Sequence, residues 1–228
     1  MPRIQTHAFA LAALLVLLAP PGEALGAGKA CPGASQAPAL NFRALPGTVS
    51  FRTGYTRNDL ARLENKHRKG RRANGWVPMG LTLAEFQMTL TLRVTIQPLG
   101  GNRYCAFPSV VTVDMGYPDF IIYIDRRYRR DTCENDIIRR HEKTHIGIYR
   151  DALKEYSPWI ENRFQQVLRR FRPVFLRSPG KAGDMVRDRV RRKLDPLLRK
   201  MHRAVSRANA KIDTPGQYDL IQKQCGNW

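Results

Sequence analysis

Residues 141–145 read HEKTH, inside the run ENDIIRRHEKTHIGIYRDALKEY. Side chains four apart on a helix share one face, about one turn apart. His141 and His145 can therefore turn two imidazoles toward a single ion, with Glu142 beside them. Zinc in such a site brings the pKa of its water toward neutrality, and a neighbouring carboxylate takes the proton as a carbonyl is attacked. The HExxH spacing carries this chemistry when it lies on a helix. His141 and His145 are the candidate metal ligands, Zn2+ the expected ion, and Glu142 the candidate general base.

The surrounding sequence supplies that helix. Asp131 or Thr132 can cap it, and Glu134 and Asp136 fall in the first turn, where the helix dipole favours acids. Ile137, Ile138, His141, His145, Ile148, Tyr149 and Ala152 recur at helical spacing. Ser157-Pro158 is expected to stop it, and WIENRFQQVLRRF to form a second helix. Upstream, MTLTLRVTIQ alternates apolar and polar residues with a period of two. SVVTVDM and DFIIYID follow as β-rich runs, separated by GYP. Joined by short turns, the three predict an antiparallel meander. TRNDLARLENKHRKGRR predicts a short helix with Thr56 and Asp59 as its capping box, running into a basic loop where His67 is solvent-exposed. RSPGKAGD reads as a linker before a long amphipathic segment that Pro196 should kink or split.

A catalytic zinc takes three protein ligands plus water. Three residues compete for the third place. Asp151 needs a break at Gly147 to reach the histidine face, Glu161 lies on the expected second helix, and His202 on the basic segment. Glu155 shares the face but stands about four turns from His141, too far along an intact helix. Tyr123, Tyr128 and Tyr149 are the tyrosines that could stabilise an oxyanion, although aromatic residues at such positions are far more often core or rim packing.

Residues 1–27 read as a signal peptide. Arg3 supplies the positive start, AFALAALLVLLA the apolar run, and ALGAGKA the small residues for cleavage near Gly26 or Ala27. The apolar run is too short to span a bilayer comfortably, so no membrane span is expected after its removal. A periplasmic or secreted location follows, and with it disulfide chemistry for Cys31, Cys105, Cys133 and Cys225. Of three pairings, Cys105–Cys133 with Cys31–Cys225 is the expected one. No CxxC spacing suggests a thiolate zinc site.

The formal net charge is +20. Between Arg163 and Lys211 lie sixteen Lys/Arg and three acids, a surplus of thirteen. Such a field draws anionic envelope surfaces or other polyanions. Its basic helices lack interleaved aromatics at their basic positions, so no specific nucleic-acid partner is expected. No nucleophile elbow, P-loop or dinucleotide fingerprint is present.

CENDIIRRHEKTHIGIYRDAL, following strands, resembles the zincin class of metallopeptidases. More narrowly it resembles an uncharacterised family of bacterial secreted proteins taken for zinc-dependent proteases. The resemblance covers roughly residues 85 to 160, and ANAKIDTPGQYDLIQKQCGNW is weakly similar to that family's C-terminal stretch. It implies His141 and His145 as ligands, Glu142 as base, and an extended substrate on the strand nearest the helix, for which DFIIYID is the candidate edge. Glu161 has the placement of a gluzincin ligand without that group's fuller motif. The metzincin pattern is not met, since Gly147 comes one position early.

The expectation is an α+β zinc-dependent peptidase, with 28–177 as the catalytic domain and 178–228 as a basic helical segment packed on it. The competing reading is an envelope-associated polyanion-binding or structural protein in which HEKTH is vestigial or holds a structural ion.

Overall fold

The computed structural model describes residues 31–67, 78–226 and 228. The expected signal peptide and most of the basic loop after His67 lie outside the described residues. The chain is α+β. In order it forms β1 (Ala39–Leu45), β2 (Thr48–Tyr55), α1 (Arg57–His67), β3 (Gly80–Ala84), β4 (Gln87–Gly100), β5 (Arg103–Gly116) and β6 (Asp119–Asp125). There follow α2 (Cys133–Arg169), β7 (Val174–Leu176), α3 (Ala182–Arg192), α4 (Asp195–Ile212) and α5 (Pro215–Gln222).

Local rules account for the element ends. Asp59 accepts from the Thr56 backbone N–H at 2.9 Å, and Thr56 Oγ1 accepts from the Asp59 N–H at 3.2 Å, the reciprocal capping box. Thr132 caps α2 by accepting from the Asn135 N–H. Pro196 does split the basic segment, standing in the first turn of α4 where its missing N–H costs nothing. The expected linker 177–184 is instead largely a 3-10 turn and the start of α3, held because Ala182 is fully buried.

The antiparallel meander does not form. β4 and β5 pair as an antiparallel hairpin, but β6 leaves for another sheet. One sheet runs β1-β5-β4 with β7 also on β5; the other runs β2-β6-β3. GYP bends the chain without reversing it. β1 pairs parallel with β5, and after the bend β2 pairs parallel with β6. Both chains cross the corner side by side, joined by Thr48 N–H to Pro118 O and Tyr117 N–H to Leu45 O. Glycine permits the crossing. Gly47 has φ +75° and Gly116 φ +142°, and a Cβ on either would fall within 2.3 Å of a backbone oxygen across the corner.

α2 runs under both sheets. Ile138 and Ile146 pack with Phe120, Ile122 and Ile124 of the second sheet. Leu153, Tyr156, Ile160 and Phe164 pack with Val111, Val113 and Met115 of the first, and with Leu198, Met201 and Val205 of α4. This second core corrects the expected helix break at Ser157-Pro158, since α2 runs unbroken with Pro158 inside it. An interior proline costs about 3 kcal/mol. Burying four large side chains, two before it and two after, contributes about 1.5–3 kcal/mol each, which outweighs that cost.

Both disulfides form, with the other pairing: Cys31–Cys105 and Cys133–Cys225, Cα atoms 6.0 and 5.9 Å apart. The expected Cys105–Cys133 bridge does not form: Cys105 stands near the start of β5 and Cys133 opens α2, with the rest of β5, the GYP bend and β6 between them, and each is bonded to another cysteine. Among the described residues, no helix is long and apolar enough to cross a membrane. Cys31–Trp228 forms one compact unit, and α4 packs within its main core.

Candidate metal centre

HEKTH lies in the first third of α2, over the second sheet. Glu142 and His145 are buried, at 3% and 8% exposure. Neither sits there as an apolar residue would, so each needs partners.

The histidines find theirs on the chain after α4. Asp213, the residue that ends that helix, places Oδ1 at 3.3 Å from Nε2 of His141 and 3.1 Å from Nε2 of His145. Charge-assisted N–H···O bonds are usually about 2.7–2.9 Å. Ligands about 2.05 Å from a tetrahedral ion stand about 3.3 Å from one another. The observed 3.3 and 3.1 Å suit donors converging on one ion and also serve as ion pairs in its absence. Two imidazole nitrogens and a carboxylate oxygen make a borderline-soft set suited to a transition-series divalent ion. His141, His145 and Asp213 form the one such three-residue group among the described residues.

The group is braced on several sides. The Tyr218 hydroxyl, from α5, donates to Asp213 Oδ1 at 3.1 Å and lies 3.2 Å from His141 Nε2. Nδ1 of His145 donates to Oδ1 of Asn209 at 2.6 Å. Thr82 Oγ1, on β3, lies 2.7 Å from Glu142 Oε2 and 3.0 Å from the Glu142 carbonyl. Gly80 leaves room for that carboxylate: a Cβ there would come within 2.7 Å of Oε1.

Electrostatics follow the geometry. Burial raises the Glu142 pKa, and the neighbouring imidazoles only partly oppose it. Burial alone would lower His145, but the hydrogen bond and charge of Asp213, with Glu142 and Asn209, lift it to about 9. Burial works against Asp213 as well, yet its bonds to His141 and His145 hold it well below the usual carboxylate range.

None of the three residues expected as third ligand joins the cluster. Asp151 is exposed, because α2 continues through Gly147 without the break that would turn it inward. Glu161 lies on the same uninterrupted helix, about five and a half turns beyond His141. His202 packs edge-on to Phe86. Of the tyrosines, Tyr149 packs on Tyr117 and Phe120, Tyr123 on Tyr55, and Tyr128 on Trp228. The position near the cluster belongs to Tyr218. His67 is exposed, as expected.

Asp213 was within reach of the sequence. IDTPGQY carries a cap and a helix start: Thr214 accepts from the Gln217 N–H and Pro215 opens α5. That pattern puts Asp213 in a tight junction between two helices, where a carboxylate is held rather than free. Compared with family models, curated proteins and solved structures, the chain matches none.

Proposed function

We propose that this chain is an exported zinc-dependent hydrolase acting on peptide bonds, with His141, His145 and Asp213 as ligands and Glu142 as general base. The observation that carries the reading is the meeting of two Nε2 atoms on one carboxylate oxygen, at 3.3 and 3.1 Å. Zinc in this donor set would supply Lewis-acid polarisation and a nucleophile at neutral pH.

The chain's own groups supply the rest. Thr82 holds Oε2 of Glu142 and so orients the carboxylate, which would take a proton from the attacking water and return it to the leaving nitrogen. A carboxyl with a raised pKa is suited to that exchange. Tyr218, whose hydroxyl lies 3.2 Å from His141 Nε2, would turn its one hydrogen from Asp213 toward an oxygen developing charge beside His141. DFIIYID, the expected substrate edge, is the central strand of its sheet and is closed on both sides. β3 is the edge strand beside Glu142, and an extended peptide would lie along it.

Two disulfides fit an oxidising compartment. The exposed arginines of α3 and α4, with Trp159 63% exposed beside Lys200, would hold the enzyme at an anionic envelope surface. Salt-sensitive binding to anionic vesicles, unaffected by Glu142→Gln, would support that role alone.

The deciding experiment is metal content. The chain from Lys29 onward, made in an oxidising compartment and purified without chelator, is measured for zinc as wild type, His141→Ala and Asp213→Ala. One zinc per wild-type chain, lost in both folded variants, supports the reading. A folded wild type that takes up none after zinc is added back overturns it.

A further inference from the structure

The two nitrogens of His145 are held by one helix. Asn209 meets Nδ1 at 2.6 Å and Asp213 meets Nε2 at 3.1 Å. The two stand four residues apart on α4 and its last turn, hence on one face. HEKTH on α2 is thus answered by NAKID on α4, an i, i+4 pair facing an i, i+4 pair.

The orientation of the Asn209 amide is not arbitrary. Its Nδ2 donates to the Val205 carbonyl at 3.1 Å, which commits the oxygen to the histidine. An amide oxygen only accepts, so Nδ1 of His145 must carry a hydrogen. The neutral ring then has its lone pair on Nε2, the nitrogen that faces Asp213. The ring is also held against rotation, because turning it would break the short Asn209 bond.

We infer that Asn209 is a positioning residue of the metal centre: it fixes the ring of His145 and its tautomer so that Nε2 is the nitrogen offered to the ion. The inference rests on the zinc reading above and extends it to a residue outside the donor set. Groups that hold a ligating histidine from behind are worth about 10–100-fold in metal affinity.

The test is a zinc titration against a chromophoric chelator, using the disulfide-intact chain from Lys29 onward. Asn209→Leu keeps the bulk and removes the acceptor; Asn209→Ala removes it without demanding room, should the leucine variant misfold. Asn209→Asp keeps an acceptor at the same place. The expected result is zinc affinity about 10–100-fold weaker for the leucine and alanine variants, and within about threefold of wild type for the aspartate variant. In the zinc-loaded wild type and aspartate variant, the Nδ1 proton of His145 should be slow to exchange in nitrogen-15 spectra. A purely structural role would lower the thermal midpoint of all three metal-free variants and leave their zinc affinities alike. Leucine and alanine variants that bind zinc as wild type does would overturn the inference while the metal centre stands. A wild type without zinc would overturn both.

Discussion

Oδ1 of Asp213 lies 3.1 Å from Nε2 of His145, joining the end of α4 to the last residue of the HEKTH run. That contact converts a pair of helix-face histidines into a three-donor group. Without it, two imidazoles one turn apart would make only a weak and incomplete site.

Removing the carboxylate should therefore weaken zinc binding more than removing any brace around it. Asp213→Ala is expected to lower zinc affinity by at least about 100-fold, and Asp213→His to restore part of it, since imidazole is also a zinc donor. Chelator competition on both variants checks this. An alanine variant with wild-type affinity would place the third donor elsewhere.

Glu142→Gln separates chemistry from binding. The amide keeps the size of the side chain and its contact with Thr82, and removes a buried ionisable group. Zinc content and thermal midpoint should be unchanged or slightly raised. Cleavage of an unfolded protein substrate should fall by about 100- to 10,000-fold, as expected for loss of a general base. A variant that cleaves at the wild-type rate would remove Glu142 from the mechanism.

The metal-free protein should lose stability in alkaline solution. His145 has its pKa raised to about 9 from an ordinary value near 6.5. Its contribution is complete below about 6.5 and disappears as the pH climbs through 9. Asp213, held below the usual range, contributes above about pH 4 and is lost as the pH falls. Maximum stability should lie near pH 5–6. Between pH 6 and 10 the loss attributable to His145 is on the order of 2–3 kcal/mol, or roughly 5–10 °C in thermal midpoint. Zinc affinity should run the other way over the same interval, because the ion needs the neutral ring. Midpoints of chelator-treated wild type and His145→Gln across this range test the sign; identical profiles would refute it.

Peptide mapping under non-reducing conditions should recover Cys31 with Cys105 and Cys133 with Cys225. Replacing Cys133 and Cys225 by serine opens a loop of about ninety residues that contains α3, α4, Asp213 and Tyr218. Loop-closure entropy puts the cost at about 4–5 kcal/mol. Zinc should stabilise the variant and the wild type by a similar increment, so denaturation curves with and without zinc should be displaced in parallel.

What the sequence made legible was local. The α2 start, its Thr132 cap, the Thr56–Asp59 box and the split at Pro196 each follow from residues within a turn of one another. The placement of His141, Glu142 and His145 on one helix belongs with them. What escaped depends on distant partners. GYP has turn composition, yet whether it reverses or bends the chain is decided by β1 and β2 alongside it, and by Gly47 opposite. Ser157-Pro158 has break composition, yet one core that takes side chains from both sides of it carries the helix through. Cysteine pairing and Asp213 are of the same kind: each residue was visible, and its partner was a matter of topology.

The centre also has a place in the order of synthesis. A chain that has just released α2 holds two donors on one helix and can grip an ion only loosely. Asp213 arrives after α3 and α4 have been made, and the covalent tie from Cys225 to Cys133 comes later still. Until then the three-donor group is unfinished, so a growing chain meets metal ions with only the two histidines of α2 in place.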